Sequence, residues 1–303
     1  SGGFASPLAA ELIAAADLVV GWGASLSMWT TRHGHLVGRD AAVVQVAVRA
    51  DDLGAHHRVD LGVVGDARKV AECIDAMLAA RDFSGRGYRS DALRGRLAGA
   101  VRWRDVPYED ESDGEQIDPR TLTIALDDML PRERIVAVDS GNFMGYPAMY
   151  LDVPDERGFC FTQAFQSIGL GLSTAIGAAL ARPDRLPVAA LGDGGFLMSI
   201  SELETVVRLG LPMLIVVYDD AAYGAEVHHF KRGGHPLDAV TFPDRDLCAL
   251  ARGFGCEGVT VRALSDLAPV RAWLSGPRER ALLIDAKITA RGGAWWLEEA
   301  FGH

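Results

Sequence analysis

The apolar residues of this chain fall into short uninterrupted runs that alternate with longer segments of helical periodicity. Runs of this length are typical of strands buried on both faces of a parallel sheet. The segments between them repeat apolar positions three or four residues apart, which predicts helices packed against that sheet. Alternating strands and helices indicate an α/β fold with a doubly wound, mainly parallel sheet. The predicted strands are 18–21, 43–48, 61–64, 135–138, 187–191, 213–218, 259–261 and 281–284.

Local composition divides the chain into two domains joined by a linker. Residues 1–82 carry the first three predicted strands and are interpreted as a partial Rossmann-like domain. Residues 83–116 are rich in Arg, Gly and Ser and end in an acidic run, which is typical of a domain boundary. Residues 117–303 are predicted to form the second domain. It begins with a helix start at Asp118-Pro119, because proline suits the first position of a helix.

The most informative stretch lies at two strand ends in the second domain. The fifth predicted strand ends in the glycine-rich sequence GDGG at 192–195. Ser199 and Ser201, each followed three residues later by Glu, form two overlapping capping boxes that predict a helix start just after the glycines. The sixth predicted strand ends in the acidic pair Asp219-Asp220. This order is a strand–helix–strand unit, whose right-handed crossover makes the two strands parallel.

Asp193 and Asp220 are therefore expected at the same edge of the sheet, just past the carboxyl ends of parallel strands. Ligands of open α/β sheets bind at that edge. The glycines beside Asp193 let the backbone approach a bulky anion and offer their N–H groups to it. Two carboxylates beside such amides favour a hard divalent cation, most simply Mg²⁺, that bridges to phosphate oxygens. The alternative, which the pattern alone leaves open, is a glycine turn beside two solvated carboxylates.

Composition narrows the classes of function. With 303 residues, 49% of them hydrophobic, the chain is long enough to bury a sizeable core. Its formal charge of −11 argues against a nucleic-acid-binding surface, and no apolar run is long enough to span a membrane. The four cysteines have no metal-ligand spacing and are expected to be reduced and buried, as in a cytoplasmic protein. The sequence begins with no recognisable signal peptide, which fits the same expectation.

The GDG sequence, followed after about thirty residues by an acidic pair, resembles the cofactor motif of thiamine-diphosphate-dependent enzymes. This family includes acetolactate synthase, benzoylformate decarboxylase, benzaldehyde lyase and pyruvate decarboxylase. The resemblance implies that Mg²⁺ is held by Asp193, by Asp220 and by the backbone carbonyl of Ala222. This sequence departs from the family pattern because Asp219-Asp220 stands where Asn-Asn is usual. The aspartate still offers an oxygen ligand but adds negative charge beside a diphosphate.

The same resemblance implies further contacts with thiamine diphosphate. Ile168 is expected to hold the cofactor in a bent conformation, while the carbonyl of Gln166 accepts a hydrogen bond from its aminopyrimidine ring. Glu226 is expected to act as an acid or base during the reaction. The alternative for Ile168 is a purely structural place in the core. The other cofactor-binding candidates are Gly141, Asn142, Gly192, Gly194, Gly195 and Tyr223.

The resemblance covers nearly the whole chain but only roughly the second half of a family member. In the family, a glutamate on an N-terminal pyrimidine-binding domain activates the cofactor, and we find no counterpart of that domain here. We therefore expect the chain to be a fragment or to act with a partner chain, in a homodimer or tetramer. The expected substrate is a 2-oxo acid or an aldehyde, with no nucleic acid and no membrane as partner.

Two other interpretations remain at this point. One is a non-catalytic or degenerate module that binds thiamine diphosphate and Mg²⁺ without turnover, which the acidic pair and the missing domain favour. The other is a nucleotide-binding oxidoreductase of Rossmann type. The chain has no GxGxxG sequence, and this absence counts against the oxidoreductase.

Overall fold

A computed structural model describes residues 2–85, 88–162, 165, 167–291 and 294–300 of the chain. The chain divides into two compact units. The first unit lies within Ser1–Pro107 and Glu298–His303, and the second is Tyr108–Leu297. Both are built on parallel sheets, and each is described by itself.

The first unit contains a three-stranded parallel sheet in the order β1-β2-β3. The Asp66 side chain caps the third helix of this unit by accepting a hydrogen bond from the backbone N–H of Lys69 at 3.0 Å. The strands are β1 (Leu18–Trp22), β2 (Ala42–Ala47) and β3 (Leu61–Val64), and the helices are α1 (Pro7–Ala14), α2 (Met28–Thr31), α3 (Ala67–Ala79) and α4 (Asp91–Ala100).

The second unit is a six-stranded sheet in which every neighbouring pair of strands is parallel. Its strands are β4 (Arg134–Val138), β5 (Phe159–Phe161), β6 (Leu186–Gly192), β7 (Leu214–Asp219), β8 (Glu257–Val261) and β9 (Leu282–Lys287). Its helices are α5 (Pro119–Met129), α6 (Gly145–Tyr150), α7 (Gly171–Ala181), α8 (Asp193–Ser199), α9 (Glu202–Arg208), α10 (Gly224–Arg232), α11 (Leu247–Phe254), α12 (Ala268–Ser275) and α13 (Trp295–Ala300).

The core of the second unit is centred on three strands that have no exposed residue. All residues of β7 and β9 are buried, and so are all of β6 except its last. Helices α7, α9 and α11 contribute apolar side chains to the same core, among them Leu172, Leu203 and Cys248. Burial on both faces explains why these strands read in the sequence as continuous apolar runs rather than as an alternating pattern.

The order β5-β4-β6-β7-β9-β8 fixes where this sheet opens. After β4 the chain first adds β5 on one side and then returns to add β6 on the other. The connections on the two sides leave the sheet in opposite directions, so a crevice forms at the carboxyl ends of β4 and β6. The fold therefore provides a ligand crevice beside the glycine-rich sequence.

Two local predictions in this unit were wrong. Helix α8 begins at Asp193 itself, so the glycines form its first turn rather than a loop before it. Ser201 makes no side-chain capping bond, and the Ser199 hydroxyl donates back to the Gly195 carbonyl at 3.0 Å. The short edge strand β5 was also missed, because three residues are too few to show a period.

The prediction of four buried cysteines is wrong for Cys73, which is exposed on α3, whereas Cys248 and Cys256 are buried. All four are free cysteines. No helix in the described ranges combines the length and the apolar character that crossing a bilayer would require.

Candidate functional site

The loops after β4 and β7 meet the first turn of α8 at the crevice. A single concave site collects residues from these three segments and from the segment before α7. Most of the residues that the sequence singled out are among its walls. The lining residues are Ser140, Asn142, Phe143, Ile168, Gly192, Asp193, Gly194, Gly195, Tyr218, Asp220, Ala222, Tyr223, Gly224 and Glu226.

Two carboxylates lie together in this site. Asp193 is buried in the first turn of α8, and Asp220 follows β7 directly. Burial is the largest cause that raises the pKa of Asp193, and the negative charges of Asp220 and Asp219 raise it further. The pKa of Asp220 is also raised, again by burial first and then by Asp219. Among the described lining residues no lysine or arginine offsets these two carboxyls, so their charged forms are disfavoured.

Glycines bring the backbone of these loops into close contact. A Cβ atom on Gly194 would overlap the ring of Tyr223, and one on Gly224 would overlap the Asp220 carboxylate. A Cβ atom on Gly192 would lie 3.1 Å from the ring of Phe143. Only glycine therefore allows these loops to pack as they do, which is the physical reason for the glycine-rich sequence.

The loop after β7 is held by backbone hydrogen bonds from outside it. Phe242 N–H donates to the carbonyl of Ala221 at 2.7 Å, and Tyr223 N–H donates to the carbonyl of Val240 at 2.8 Å. Ala221 adopts φ 55°, a left-handed conformation that non-glycine residues seldom take. A conformation of that kind persists only where the surroundings enforce it, so this loop has a defined shape.

The acidic pair does not act as one unit, which the sequence did not reveal. The Asp219 side chain turns away to Lys287 at the end of β9, with Nζ donating to Oδ2 at 2.6 Å. Its other oxygen accepts the N–H of Ala221 at 2.9 Å. Asp219 and Lys287 are adjacent in the β7–β9 register, so an acidic residue followed at a neighbouring strand end by a lysine is the signal that could have identified this pair.

Asp139 is a second residue whose importance the sequence did not indicate. It is fully buried at the end of β4, and its oxygens accept the N–H groups of Ser140 and Gly169, each at 2.8 Å. The N–H groups of Leu170 and Gly171 also donate to it, so its charge caps the N-terminus of α7. Asp139 thereby ties the loop after β4 to the segment that carries Ile168.

The remaining predicted residues are placed as follows. Ile168 is half-buried and lines the site, and Glu226 is exposed at its mouth in the first turn of α10. Asn142 lines it too, but its side-chain oxygen accepts the N–H of Ala294 at 3.1 Å. Gly141, with φ 144°, precedes Asn142 without lining the site itself. Gln166 lies outside the described residues.

The donor set fits a hard divalent cation. Asp193 and Asp220 offer carboxylate oxygens, the ligands that Mg²⁺ prefers, and a bound cation would offset the burial and mutual repulsion that raise the pKa of both carboxyls. The cavity measures about 30 Å³, which is room for an ion or a water molecule.

The first unit has a larger cavity that the sequence did not predict. It measures about 440 Å³ and lies where β1, β2 and β3 end. Ser25, Gln45, His56 and Asp66 are among its lining residues. A cavity at the carboxyl ends of three parallel strands is the usual geometry of such sheets and alone defines no ligand.

Comparison with known sequences identifies the class of protein. The family description "Thiamine pyrophosphate enzyme, C-terminal TPP binding domain" matches residues 139–286, which include every predicted site residue. The description "Thiamine pyrophosphate enzyme, central domain" matches residues 1–74. This chain belongs to the thiamine pyrophosphate enzyme family, and the predicted resemblance is confirmed.

Within that family, several similar proteins carry the name sulfoacetaldehyde acetyltransferase. The protein of that name from Alcaligenes xylosoxydans xylosoxydans is 29% identical over 296 residues, which are 87% of this chain and 48% of the relative. The "Probable sulfoacetaldehyde acetyltransferase" of Rhizobium meliloti is 29% identical over 276 residues, covering 84% of this chain and 47% of the relative. An acetolactate synthase of Bacillus subtilis is 26% identical over 77% of this chain and 40% of that protein.

A solved structure supports the same fold. The thiamine diphosphate-dependent 4-hydroxybenzoylformate decarboxylase of Rhodococcus jostii RHA1 superimposes with a TM-score of 0.70 at 19% identity, over 93% of this chain and 51% of that chain. The predicted α/β fold with parallel sheets is confirmed. The chain spans about half the length of the relatives that it matches.

Proposed function

We propose that this chain supplies the thiamine diphosphate- and Mg²⁺-binding part of an enzyme that makes or breaks a carbon–carbon bond next to a carbonyl group. The observation that carries the proposal is the meeting of Asp193 and Asp220 with the glycine backbone of α8 in one crevice. Family membership supports the same conclusion, because the matched domain is described as TPP-binding.

In this proposal, Asp193, Asp220 and the carbonyl of Ala222 hold Mg²⁺. Ile168 supports the cofactor from the segment that Asp139 fixes to the loop after β4. Once bound, thiamine diphosphate supplies an electron sink beside the carbonyl carbon of the substrate. The residues assigned to the cofactor are Gly141, Asn142, Gln166, Ile168, Gly192, Gly194, Gly195 and Tyr223.

Glu226 is assigned the transfer of a proton to or from the substrate. It is the acidic residue of the first turn of α10, it is exposed, and it stands at the open side of the site, where a substrate must enter. A carboxyl group in reach of the reacting carbon can serve as general acid or base.

The proposal includes partners that complete the site. A pyrimidine-binding domain, on the same polypeptide or on another chain, would cover the crevice, and the assembly would be a homodimer or tetramer in the cytoplasm. The domain division at 1–82, 83–116 and 117–303 belongs to the same proposal. The substrate would be a 2-oxo acid or an aldehyde, and the relatives' names suggest sulfoacetaldehyde and 4-hydroxybenzoylformate as the first compounds to test.

A reconstitution assay tests this function. The chain is mixed with the N-terminal half of a sulfoacetaldehyde acetyltransferase that contains the pyrimidine-binding domain, with cofactor, Mg²⁺ and each substrate. We expect product from the mixture and none when Asp193→Ala replaces the wild-type chain. A mixture that forms a stable complex and binds cofactor, but converts no substrate, would contradict the assignment as an enzyme.

A further inference from the structure

A second group of potential metal ligands lies between α11 and the strands β8 and β9, apart from the crevice. Asp246, Cys248 and Asp285 each place one ligand atom so that all three atoms lie within 4.8 Å of one another. Asp246 caps α11, Cys248 belongs to the first turn of that helix, and Asp285 is buried on β9. This group was not predictable from the sequence, because Asp285 lies far along the chain from Asp246 and Cys248.

Asp285 is buried with incomplete hydrogen bonding, and this observation points to a cation. Lys287 Nζ lies 3.2 Å from its Oδ2, but the three N–H groups of that ammonium are directed to Asp219, Asp244 and the carbonyl of Arg245, at 2.6, 2.7 and 3.0 Å. Within the described ranges, neither oxygen of Asp285 has a hydrogen-bond partner, although its side chain is fully buried. Arg262 also lies 3.7 Å from Asp244, so two cations face three carboxylates and one negative charge remains in excess.

A fully buried carboxylate that accepts no hydrogen bond and shares its one ammonium partner with other carboxylates is costly, which favours a further positive charge beside it. A proton is the simplest choice, since burial raises the pKa of Asp285 and Asp219 is close enough to share the proton. A metal ion is the other possible source of positive charge, and the presence of Cys248 favours a metal ion over a proton. A thiol contributes little to a proton shared by carboxylates but is a strong ligand for a borderline metal ion.

We propose that Asp246, Cys248 and Asp285 form a binding site for a divalent cation of the zinc class. The thiolate and two carboxylates offer three negative charges to such an ion and suit zinc or cobalt better than Mg²⁺. Even if all three separations were 4.8 Å, an ion centred among the three atoms would lie about 2.8 Å from each, so a closure of roughly 0.5–0.8 Å reaches ordinary zinc–ligand distances.

The surroundings are suited to such an ion. Asp246 is 59% exposed in its side chain, which leaves an entry path and room for a water molecule as fourth ligand. Thr260 is the neighbour of Asp285 in the β8–β9 register, and its hydroxyl lies 3.5 Å from the sulfur of Cys248, where it can support the thiolate. Binding releases the thiol proton of Cys248 to solvent, together with the carboxyl proton of Asp285 where that residue is protonated, so up to two protons leave for each ion. The bound ion would clamp the first turn of α11 to β9.

Cobalt titration of the full chain tests this site directly. The chain is first stripped with a chelator and then titrated with Co²⁺, because thiolate ligation produces a charge-transfer band in the near ultraviolet. We expect one equivalent of Co²⁺ to give this band, excess Zn²⁺ to remove it and Mg²⁺ to leave it unchanged. Cys248→Ser should abolish the band and weaken cobalt binding roughly 100-fold, and Asp285→Asn should weaken it at least about tenfold.

Two further variants keep the test decisive. Cys256→Ser is the matched control, because Cys256 is also buried beside α11 but lies outside the cluster. The cobalt charge-transfer band of this variant should equal that of the wild-type chain. Asp246→Asn changes an exposed residue, so it can be tested in place of Cys248→Ser if that variant does not fold. It should weaken cobalt binding about tenfold. A wild-type chain without the band, a band that persists in Cys248→Ser, or unchanged binding in Asp246→Asn would overturn the proposal.

Discussion

At the scale of single residues, Asp139 illustrates how one buried carboxylate organises a site without lining it. Its oxygens receive N–H groups from the loop after β4 and from the start of α7, two segments that are far apart in sequence. Glycine is required opposite it, because a Cβ atom on Gly195 would lie 2.7 Å from its Oδ2. The position of Ile168 in the crevice therefore depends on a residue that the GDG motif does not include.

Asp139→Asn is expected to destabilise the chain. The amide keeps one acceptor oxygen but places an NH₂ group against backbone donors, so buried N–H groups at the start of α7 lose their partner. The expected loss is about 1–3 kcal/mol in the free energy of unfolding, measured by urea denaturation. Asp238→Asn, at an exposed aspartate, is the control and should change the free energy by less than about 0.5 kcal/mol. Equal stability of the two variants would contradict this role.

The same substitution has a predictable pH dependence. Burial raises the pKa of Asp139 above the usual aspartate range. A carboxyl with a raised pKa in the folded state stabilises the fold fully below its unfolded pKa, about 3.9, and this stabilisation is lost as the pH rises through the folded pKa. The penalty of Asp139→Asn should therefore shrink from acidic toward neutral buffer, as measured by denaturation at a series of pH values. A penalty that grows with pH would mean that folding lowers the pKa of Asp139, which would contradict this prediction.

At the scale of elements, the ends of β7 and β9 are joined by the Asp219–Lys287 ion pair, and both side chains are buried. This ion pair gives the two residues of the Asp-Asp sequence different environments. Lys287 compensates the first aspartate, and Asp220 alone faces the crevice with Asp193. The departure from the usual Asn-Asn thus adds one net charge to the site rather than two.

Lys287→Met is expected to cost about 3–5 kcal/mol in the free energy of unfolding, because it leaves Asp219 buried without its cation. The double variant Asp219→Asn/Lys287→Met should recover part of that loss, since the carboxylate nearest to Lys287 is then neutral, although Asp244 and Asp285 keep their charge. Arg208→Met is the control, because Arg208 forms an exposed pair with Glu204 and should cost less than about 1 kcal/mol. A double variant no more stable than Lys287→Met would mean that the two charges are not coupled.

Helix α8 is the element in which sequence and structure differ most instructively. The sequence predicted that this helix begins just after its glycines, since glycine is a poor helix former. They form the first turn because Gly194 must pass the Tyr223 ring and Gly195 must pass Asp139, contacts that any side chain would prevent. Tertiary packing here outweighs local propensity, which sequence patterns alone do not reveal.

Gly194→Ala should therefore destabilise the chain, although alanine favours helices. The new methyl group would overlap the Tyr223 ring and displace the loop that carries Asp220. Gly253→Ala is the matched control, because Gly253 also lies in a helix and a methyl group there meets nothing within 4 Å. That control should stabilise the chain by about 0.5–1 kcal/mol in thermal denaturation. Stabilisation by both substitutions would contradict the packing described for α8.

At the scale of the whole molecule, the parallel α/β architecture and the crevice were predictable from the sequence. Buried strands such as β7 gave clear apolar runs, and two strand ends carried residues with recognisable chemistry. The contributions of Asp139, Lys287 and Asp285 were not predictable, because each depends on partners brought together only by the sheet order. Sequence motifs identify residues that face a ligand, whereas the residues behind them are recognised from contacts.

The chain by itself is expected to convert neither pyruvate nor benzoylformate to product. The resemblance places the glutamate that activates the cofactor on a pyrimidine-binding domain, and the chain spans about half the length of its relatives. Product formation is measured with cofactor and Mg²⁺ present, and the reconstituted mixture serves as the positive control. Turnover by the chain alone would contradict the need for that domain.

The central claim is that Asp193 and Asp220 form a cofactor site that requires both Mg²⁺ and thiamine diphosphate. A thermal-shift titration with the two ligands, singly and together, tests it most directly, with Asp193→Ala and the exposed-site variant Asp238→Ala measured alongside. A ligand that binds only the native state stabilises it by about 2.7 kcal/mol at a hundredfold excess over its Kd. We predict a rise in Tm that needs both ligands, persists in Asp238→Ala and disappears in Asp193→Ala. A rise of the same size in Asp193→Ala, or none in the wild-type chain at millimolar ligand, would contradict the site described here.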